Sequence, residues 1–265
     1  MPRKTKVKLD SKIRIAAVSY LNTLPLLYGI EHSPVMNKIE LKVDYPSKIA
    51  QWLIDGDVDV ALVPVATIPH LKESYIVSDY GIGADGKVAS VCLFSDVPVN
   101  EIKTVILDYQ SRTSNELARV LLRDYWRISP DIVYSQKEYR QEIKGTTAAV
   151  VIGDRAFEQK KNSTYCYDLA EAWKQMTGLP FIFAAWISNK KLPADFIKEF
   201  NAANEYGVNH IEEVINSIEN KQGIDLKQYY TQHIRYYLDN DKKKALKKFL
   251  QLSLAFNTET LFQGV

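Results

Sequence analysis

The chain has 265 residues, 46% of them hydrophobic and 25% charged, which is typical of a soluble globular protein of one or two domains and excludes a disordered or fibrous chain. Lys and Arg number 34 against 32 Asp and Glu, and this near balance does not predict nucleic-acid binding, which needs a concentrated basic excess. The 2 cysteines, Cys92 and Cys166, are too far apart for a metal-binding motif, so we expect buried structural thiols in a reducing compartment.

The two ends of the chain carry no pattern of a membrane or export segment. Arg14 and Ser19 interrupt the apolar residues near the N-terminus, and no run of about 20 apolar residues occurs anywhere. We therefore expect a cytoplasmic protein without membrane insertion. The sequence ETLFQG over 259–264 resembles a viral 3C-protease cleavage site, so 257–265 are expected to be a tag remnant outside the fold.

Short apolar runs typical of buried strands alternate with amphipathic stretches in the first third of the chain. The predicted elements are a strand over 13–19, a short helix over 24–30, a strand over 39–45, a helix over 47–55 and a strand over 58–65. Because this order requires crossover helices, it predicts parallel strands.

The middle of the chain repeats this logic, and the last third becomes helical. The next predicted strands are 75–79, 87–94, 104–107, 131–134, 148–152 and 181–187, with helices over 113–126 and 168–177. The predicted C-terminal helices are 194–219, 226–238 and 242–256, the last with its lysines opposite an apolar face, as in a solvated surface helix.

The simplest assembly of these elements is an α/β protein with two lobes, each a mixed sheet flanked by helices. Lobe 1 would comprise 1–95 and 188–256, and lobe 2 would comprise 96–187. The chain would cross between them near 95–96 and 186–188, so that a two-crossing hinge borders a ligand cleft. Ligands in such sheets bind at the carboxyl ends of the strands.

Two further patterns do not predict a cofactor or metal site. Gly81-Ile82-Gly83-Ala84-Asp85-Gly86 fits the dinucleotide fingerprint by letter, but a strand rather than a helix follows, so a glycine-rich turn is expected. The 4 histidines form no pair at metal-ligand spacing, although His70 lies near a predicted strand end. We expect neither a metal nor an organic cofactor.

Polar residues after the strand over 104–107 give the most informative local pattern. Ser111, Arg112, Thr113 and Ser114 open the following helix, where Thr113 and Glu116 fit a capping box. A cap needs only one oxygen, so four polar residues exceed that need. Free N–H groups, hydroxyls and the positive helix end therefore predict a site for a carboxylate or phosphate.

Two other strand ends carry polar residues that would face the same cleft. Ser19, Tyr20 and Asn22 follow the first strand, and Asn22 is best placed to point into the cleft. Gly153 and Asp154 follow the strand over 148–152. Together with the helix at 111–114, these residues would surround one volume.

At these residues the sequence resembles the chorismate dehydratase family of the futalosine route to menaquinone. The segments that carry the resemblance are 18–26 (VSYLNTLPL), 59–64 (DVALVP), 90–95 (SVCLFS), 111–114 (SRTS), 152–154 (IGD), 168–173 and 177–186. The related family that makes dihydroxynaphthoate opens with a Pro-Cys-Pro-Asn-Asp type of segment, where this chain has Ser-Tyr-Leu-Asn over 19–22.

The resemblance implies a periplasmic-binding-protein-like fold of the second type, used as an enzyme without a cofactor. The reaction would be loss of water from chorismate, a small dicarboxylate, to give 3-(1-carboxyvinyloxy)benzoate. The expected partner is thus this small molecule, with no nucleic acid and no membrane; the pattern does not determine an oligomeric state.

Residue roles follow from the resemblance together with the chemistry of the substrate. Asn22 would orient the C4 hydroxyl or the enolpyruvyl group, Ser90 would add a contact from the hinge side, and Asp154 would position a cleft residue or carry a proton. The expected substrate-binding residues are Ser19, Tyr20, Ser111, Arg112, Thr113, Ser114 and Gly153. No side chain has the pattern of a general base, so the enolpyruvyl carboxylate is expected to take the C3 proton.

Two readings from other classes compete with the enzyme. A transporter's binding protein for a small carboxylate solute would carry an export signal or a lipidated cysteine near its N-terminus. The effector-binding half of a transcription regulator would need a helix-turn-helix segment, for which 1–12 is too short. The residues favour the dehydratase.

Overall fold

The computed structural model describes residues 12–221 and 223–254, and the predicted tag remnant lies outside them. The strands are β1 Ile13–Ala17, β2 Ile39–Val43, β3 Val60–Pro64, β4 Tyr75–Ala84, β5 Val91–Ser95, β6 Thr104–Leu107, β7 Asp131–Tyr134, β8 Thr147–Ile152, β9 Tyr165–Asp168, β10 Phe181–Ser188 and β11 Arg235–Tyr237. The helices are α1 Leu24–Glu31, α2 Pro46–Asp55, α3 Arg112–Val120, α4 Asp154–Gln159, α5 Leu169–Thr177, α6 Ala194–Asn209, α7 Ile211–Asn216, α8 Leu226–Gln228 and α9 Asn240–Leu254.

The strands form two mixed sheets. In the first, with the order β11-β4-β10-β3-β1-β2, the predicted parallel arrangement of β1, β2 and β3 is confirmed, and β10 runs antiparallel to β3 and β4. In the second, with the order β7-β6-β8-β5-β9, β6 is parallel to β7 and β8, and β5 is antiparallel to β8 and β9. The apolar runs of β3 and β8 are buried, with α2 packed against β3 and α4 against β8.

Helix ends and close helix contacts follow from particular residues. Pro46 opens α2 and Gly56, with φ +81°, ends it, since glycine adopts the left-handed conformation at little cost. Helices α1 and α6 meet at Gly29 and Gly207, where a Cβ on Gly207 would lie 1.8 Å from the Pro25 carbonyl oxygen. Any larger side chain would therefore separate the two helices.

The sheet memberships correct the predicted lobe boundaries at both crossings. Strand β5 belongs to the second sheet, so 91–95 lie with lobe 2 rather than lobe 1. Strand β10 belongs to the first sheet, so 181–188 lie with lobe 1. An apolar run does not reveal its hydrogen-bonding partner, and both strands pair antiparallel with residues distant in sequence.

Three segments predicted from local pattern have a different structure. The predicted helix over 226–238 is α8, a π-helical turn over Tyr229–His233 and then β11, which pairs with β4. Gly81 and Gly83 lie within β4 instead of a turn, because the neighbouring strands approach closely: a Cβ on Gly81 would lie 2.7 Å from the Ala184 carbonyl oxygen. The predicted helix over 194–219 breaks at His210.

The exposure of the two cysteines and the length of the helices can also be compared with the expectations from the sequence. Cys92 is buried as expected, whereas Cys166 on β9 is exposed. Across 12–221 and 223–254, no helix is long and apolar enough to cross a membrane.

Candidate functional site

A cavity of about 80 Å³ lies between the two sheets, and we call it the inner cleft. It is lined by Val18, Tyr20, Asn22, Thr23, Pro46, Leu62, Pro64, Ile82, Val88, Val91, Gln110, Ser111, Thr113, Ser114, Ile152, Gly153, Phe183 and Ala184. None of these lining residues is charged. The combination of an apolar surface with a few polar groups at strand and helix ends is that of a small-molecule site.

The N-terminus of α3 forms the polar side of the inner cleft. The N-cap of α3 is Ser111, and the predicted capping box of Thr113 and Glu116 is wrong. Ser111 has an extended backbone, accepts the Ser114 N–H at 3.2 Å and donates its hydroxyl to Ser114 Oγ at 2.8 Å. Thr113 lies inside the first turn, where its Oγ1 accepts the Ala66 N–H at 3.1 Å. The N–H groups of the first helical turn lack intrahelical acceptors, so this end of the helix attracts an anion.

Arg112 does not join its neighbours in the inner cleft. It is exposed and lines an adjoining outer cleft together with His70 and Glu116. Successive residues at the start of a helix point in different directions, so the tetrapeptide cannot present all its side chains to one volume. The structure brings Ser111, Thr113 and Ser114 to the inner cleft and leaves Arg112 outside it.

The loop after β1 supplies the opposite side. Tyr20 and Asn22 line the inner cleft, whereas Ser19 is exposed and does not. The Tyr20 hydroxyl donates to Gln110 Oε1 at 2.7 Å, across the space between the sheets. Burial raises the pKa of Tyr20 to about 12, so this phenol stays a donor at neutral pH.

The end of β8 brings the third group of predicted residues close to the inner cleft. Gly153 has φ +64° and ψ −149°, a backbone conformation that essentially only glycine adopts. Its N–H donates to the Ser90 carbonyl oxygen at 2.8 Å. Ser90 is 1% exposed and lies behind the lining, with its Oγ 2.9 Å from the Tyr229 hydroxyl. Asp154 is half-buried, accepts the Leu21 N–H, and burial raises the pKa of its carboxyl above the ordinary value.

A network that sequence reasoning missed supports Gln110. Arg155 Nη2 lies 2.7 Å from Asp108 Oδ2 and 3.0 Å from Gln110 Oε1, and Tyr139 donates to the same Asp108 oxygen at 2.6 Å. Burial raises the pKa of Asp108, whose side chain is fully buried. Asp108 and Gln110 come soon after the apolar strand β6. Polar residues at a strand end could therefore have predicted that these two lie near the cleft.

The inner cleft therefore offers hydroxyls, amides and a helix N-terminus, without a charged side chain among its lining residues. Such groups bind a carboxylate by hydrogen bonds and by the helix dipole. In the part of the chain that the structure describes, no group of three or more His, Cys, Asp or Glu residues could hold a metal ion.

The sequence is similar to that of two curated enzymes over most of its length. A chorismate dehydratase of Campylobacter jejuni subsp. jejuni is 27% identical over 250 residues, which are 91% of this chain and 97% of that protein. A chorismate dehydratase of Thermus thermophilus is 26% identical over 235 residues, 80% of this chain and 86% of that protein.

Solved structures show the fold independently of sequence. Protein AF1704 from Archaeoglobus fulgidus has a TM-score of 0.73 at 15% identity, with 94% of this chain and 98% of that chain covered. A Candida albicans protein described as having the generic periplasmic binding protein fold has a TM-score of 0.59 at 12% identity, with 94% and 92% covered. The predicted α/β fold class is thus confirmed.

A family model described as menaquinone biosynthesis matches residues 13–254, which include both sheets and every side of the inner cleft. The chain therefore belongs to the menaquinone biosynthesis family and has a fold of the periplasmic-binding-protein type.

Proposed function

We propose that this protein is a hydro-lyase that removes water from chorismate, giving 3-(1-carboxyvinyloxy)benzoate, as the first step of the futalosine route to menaquinone in the cytoplasm. Two relatives named chorismate dehydratase, aligned over most of both chains, support this assignment. The structural observation that carries it is the N-terminus of α3, which faces an uncharged cleft opposite Asn22.

The chemistry of the substrate explains why a helix N-terminus is useful. Removal of the proton at C3 places negative charge, by conjugation, on the ring carboxylate. With that carboxylate at Ser111, Thr113 and Ser114, hydrogen bonds and the helix dipole strengthen as the charge develops. They stabilise the transition state more than the ground state, and aromatisation then expels the C4 hydroxyl.

The remaining predicted residues have roles that agree with their positions. Asn22 orients the C4 hydroxyl or the enolpyruvyl group from the loop after β1. Gly153 and Tyr20 lie side by side in the lining of the inner cleft, since a Cβ on Gly153 would lie 3.8 Å from the Tyr20 ring. Ser19 and Arg112 lie outside the inner cleft and are not assigned to substrate binding.

The uncharged lining also supports substrate assistance as the source of the base. His70 lines the outer cleft, Asp154 accepts the Leu21 N–H, and neither belongs to the lining of the inner cleft. The enolpyruvyl carboxylate of chorismate then takes the C3 proton. A side-chain base contributes about 10²–10⁴-fold to the rate, so the two possibilities differ measurably.

The deciding experiment is to mix the purified protein with chorismate and follow the reaction by mass and ultraviolet absorbance. Loss of one water with formation of an aromatic product supports the dehydratase. Binding without turnover would contradict it and favour a binding protein for a carboxylate solute. His70→Ala and Asp154→Asn are expected to lose less than about tenfold in kcat; a loss of about 10³-fold with chorismate binding retained would contradict substrate assistance.

A further inference from the structure

Tyr229 and Ser90 form a pair of buried hydroxyl groups immediately behind the inner cleft. Tyr229 is 3% exposed and Ser90 1% exposed, and their oxygens are 2.9 Å apart. Val88 and Val91, on either side of Ser90 in sequence, line the inner cleft, as does Gly153, whose N–H the Ser90 carbonyl accepts. Ser90 is therefore the member of the pair nearer to the cleft lining.

Only one of the two hydroxyl protons in this pair has an acceptor among the described residues. The two hydroxyls form one hydrogen bond with each other, which uses one of the two protons. Neither oxygen has another partner among residues 12–221 and 223–254. One O–H therefore lacks a protein acceptor, whichever hydroxyl donates. A buried donor without an acceptor costs about 1–3 kcal/mol and is uncommon, and at this position beside the inner cleft a bound ligand can supply the acceptor.

The surroundings decide which hydroxyl is the donor within the pair. The Tyr229 ring is fixed by an edge-on contact with Phe157, at 5.3 Å between ring centres, and by the π-helical turn that begins at Tyr229. Burial raises the pKa of the Tyr229 phenol, which keeps its proton at any physiological pH. Tyr229 donates to Ser90 Oγ, since a phenol is a stronger donor than an aliphatic hydroxyl, and the remaining O–H belongs to the serine.

We propose that Tyr229 is a positioning residue for the dehydration: its hydroxyl occupies one lone pair of Ser90 Oγ and turns the Ser90 O–H toward an oxygen of the substrate. The inference rests on the proposed function, because the acceptor is an oxygen of chorismate, by position the departing C4 hydroxyl or the enolpyruvyl ether. Tyr229 touches no substrate atom and acts through Ser90.

Tyr229→Phe keeps the ring and removes the hydroxyl. We expect kcat to fall about 10- to 100-fold, the range for misorientation of a reacting group, with KM changed less than threefold. Tyr230→Phe is the matched control, since Tyr230 is 2% exposed and its hydroxyl has no hydrogen-bond partner among the described residues. Its kcat is expected to stay within about twofold of wild type.

A double-mutant cycle separates positioning from a general structural role. If Tyr229 acts through Ser90, then Tyr229→Phe lowers kcat in the wild-type background but changes it less than about twofold in a Ser90→Ala background. Equal losses in both backgrounds, or equal kcat for Tyr229→Phe and Tyr230→Phe, would overturn the inference. Ser90→Ala alone must lose at least as much kcat as Tyr229→Phe, which tests the inference even if Tyr229→Phe folds poorly.

The same assay distinguishes this inference from the proposed function. Wild-type protein that binds chorismate without releasing water overturns both. Wild-type turnover with unchanged kcat in Tyr229→Phe and in Ser90→Ala overturns the positioning role alone.

Discussion

Two groups of polar residues serve the inner cleft, one in its lining and one behind the lining, and they are built in different ways. The helix wall consists of Gln110, Ser111, Thr113 and Ser114, and its cap joins residues only three positions apart. The tyrosine wall consists of Tyr229 and Tyr236, whose hydroxyls reach Ser90 Oγ at 2.9 Å and the Asn22 carbonyl at 3.1 Å over separations of 139 and 214 residues. The first wall offers groups directly to a ligand, and the second holds the residues behind or beside it.

This difference predicts different consequences of substitution. Changes in the helix wall remove ligand contacts that strengthen in the transition state and should lower kcat as well as raise KM, whereas changes in the tyrosine wall remove supports and should lower kcat alone. The predictions below test that division, beginning with the largest expected effect.

Arg155→Met should have the largest effect on stability, because Arg155 holds Gln110 of the helix wall. Arg155 compensates the fully buried Asp108 at 2.7 Å and also holds Gln110. Leaving that carboxylate unpaired should lower the free energy of unfolding by about 3–5 kcal/mol, measured by chemical denaturation. Arg140→Met is the control, because its carboxylate partners are 50% and 62% exposed, and it should cost at most about 1 kcal/mol. Equal losses in the two variants would contradict the prediction.

Ser111→Ala should act on both stability and substrate affinity. Loss of an N-cap oxygen costs about 1 kcal/mol in unfolding free energy. Because the same hydroxyl lies at the proposed carboxylate site, kcat for chorismate should fall and KM should rise. Ser217→Ala, which removes a hydroxyl bound to the Val214 carbonyl in α7, serves as control and should leave KM unchanged. Unchanged kcat and KM in Ser111→Ala would remove Ser111 from the site.

Tyr236→Phe should have a smaller effect, confined to the support of Asn22. The lost hydrogen bond to the Asn22 carbonyl is worth about 1 kcal/mol, and Asn22 retains its place in the turn before α1. We expect a modest fall in kcat with KM unchanged. Tyr237→Phe, at a ring that is 57% exposed, should behave as wild type in the same assay. A rise in KM for Tyr236→Phe would assign Tyr236 to binding.

Asp154→Asn should give the smallest change, visible as a pH dependence of stability. Burial raises the pKa of Asp154 above its ordinary value of 3.8, so the folded protein binds this proton more tightly than the unfolded chain does. Its contribution to stability is complete below 3.8 and is lost as the pH rises through the raised pKa. The difference in unfolding free energy between wild type and Asp154→Asn should therefore change across that window. A difference that is independent of pH would contradict the raised pKa.

The helix wall could largely be predicted from the sequence, and the tyrosine wall could not. An apolar strand followed by polar residues and an amphipathic helix placed Ser111, Thr113 and Ser114 at the inner cleft. The same reasoning included Arg112, because a linear pattern does not show which way a side chain points at the start of a helix.

The C-terminal segment shows the opposite case. The residues over 226–238 have a helical pattern, yet β4 offers an unpaired edge that takes 235–237 as a strand. Pairing with a partner about 150 residues away overrides the local preference, since it satisfies backbone groups on both strands. Tyr236 acquires its position only through that change.

What the sequence determined by itself is what depends on neighbours in the chain: the positions of most strands and helices, the parallel start of the first sheet, and the polar residues at strand ends. The tertiary structure alone decided which sheet takes β5 and β10, which of the polar residues face the inner cleft, and which distant hydroxyls support them. Local patterns record propensity and amphipathicity, which act over a few residues. Antiparallel pairing and buried hydrogen bonds join residues of any separation, so they leave no periodic trace in the sequence.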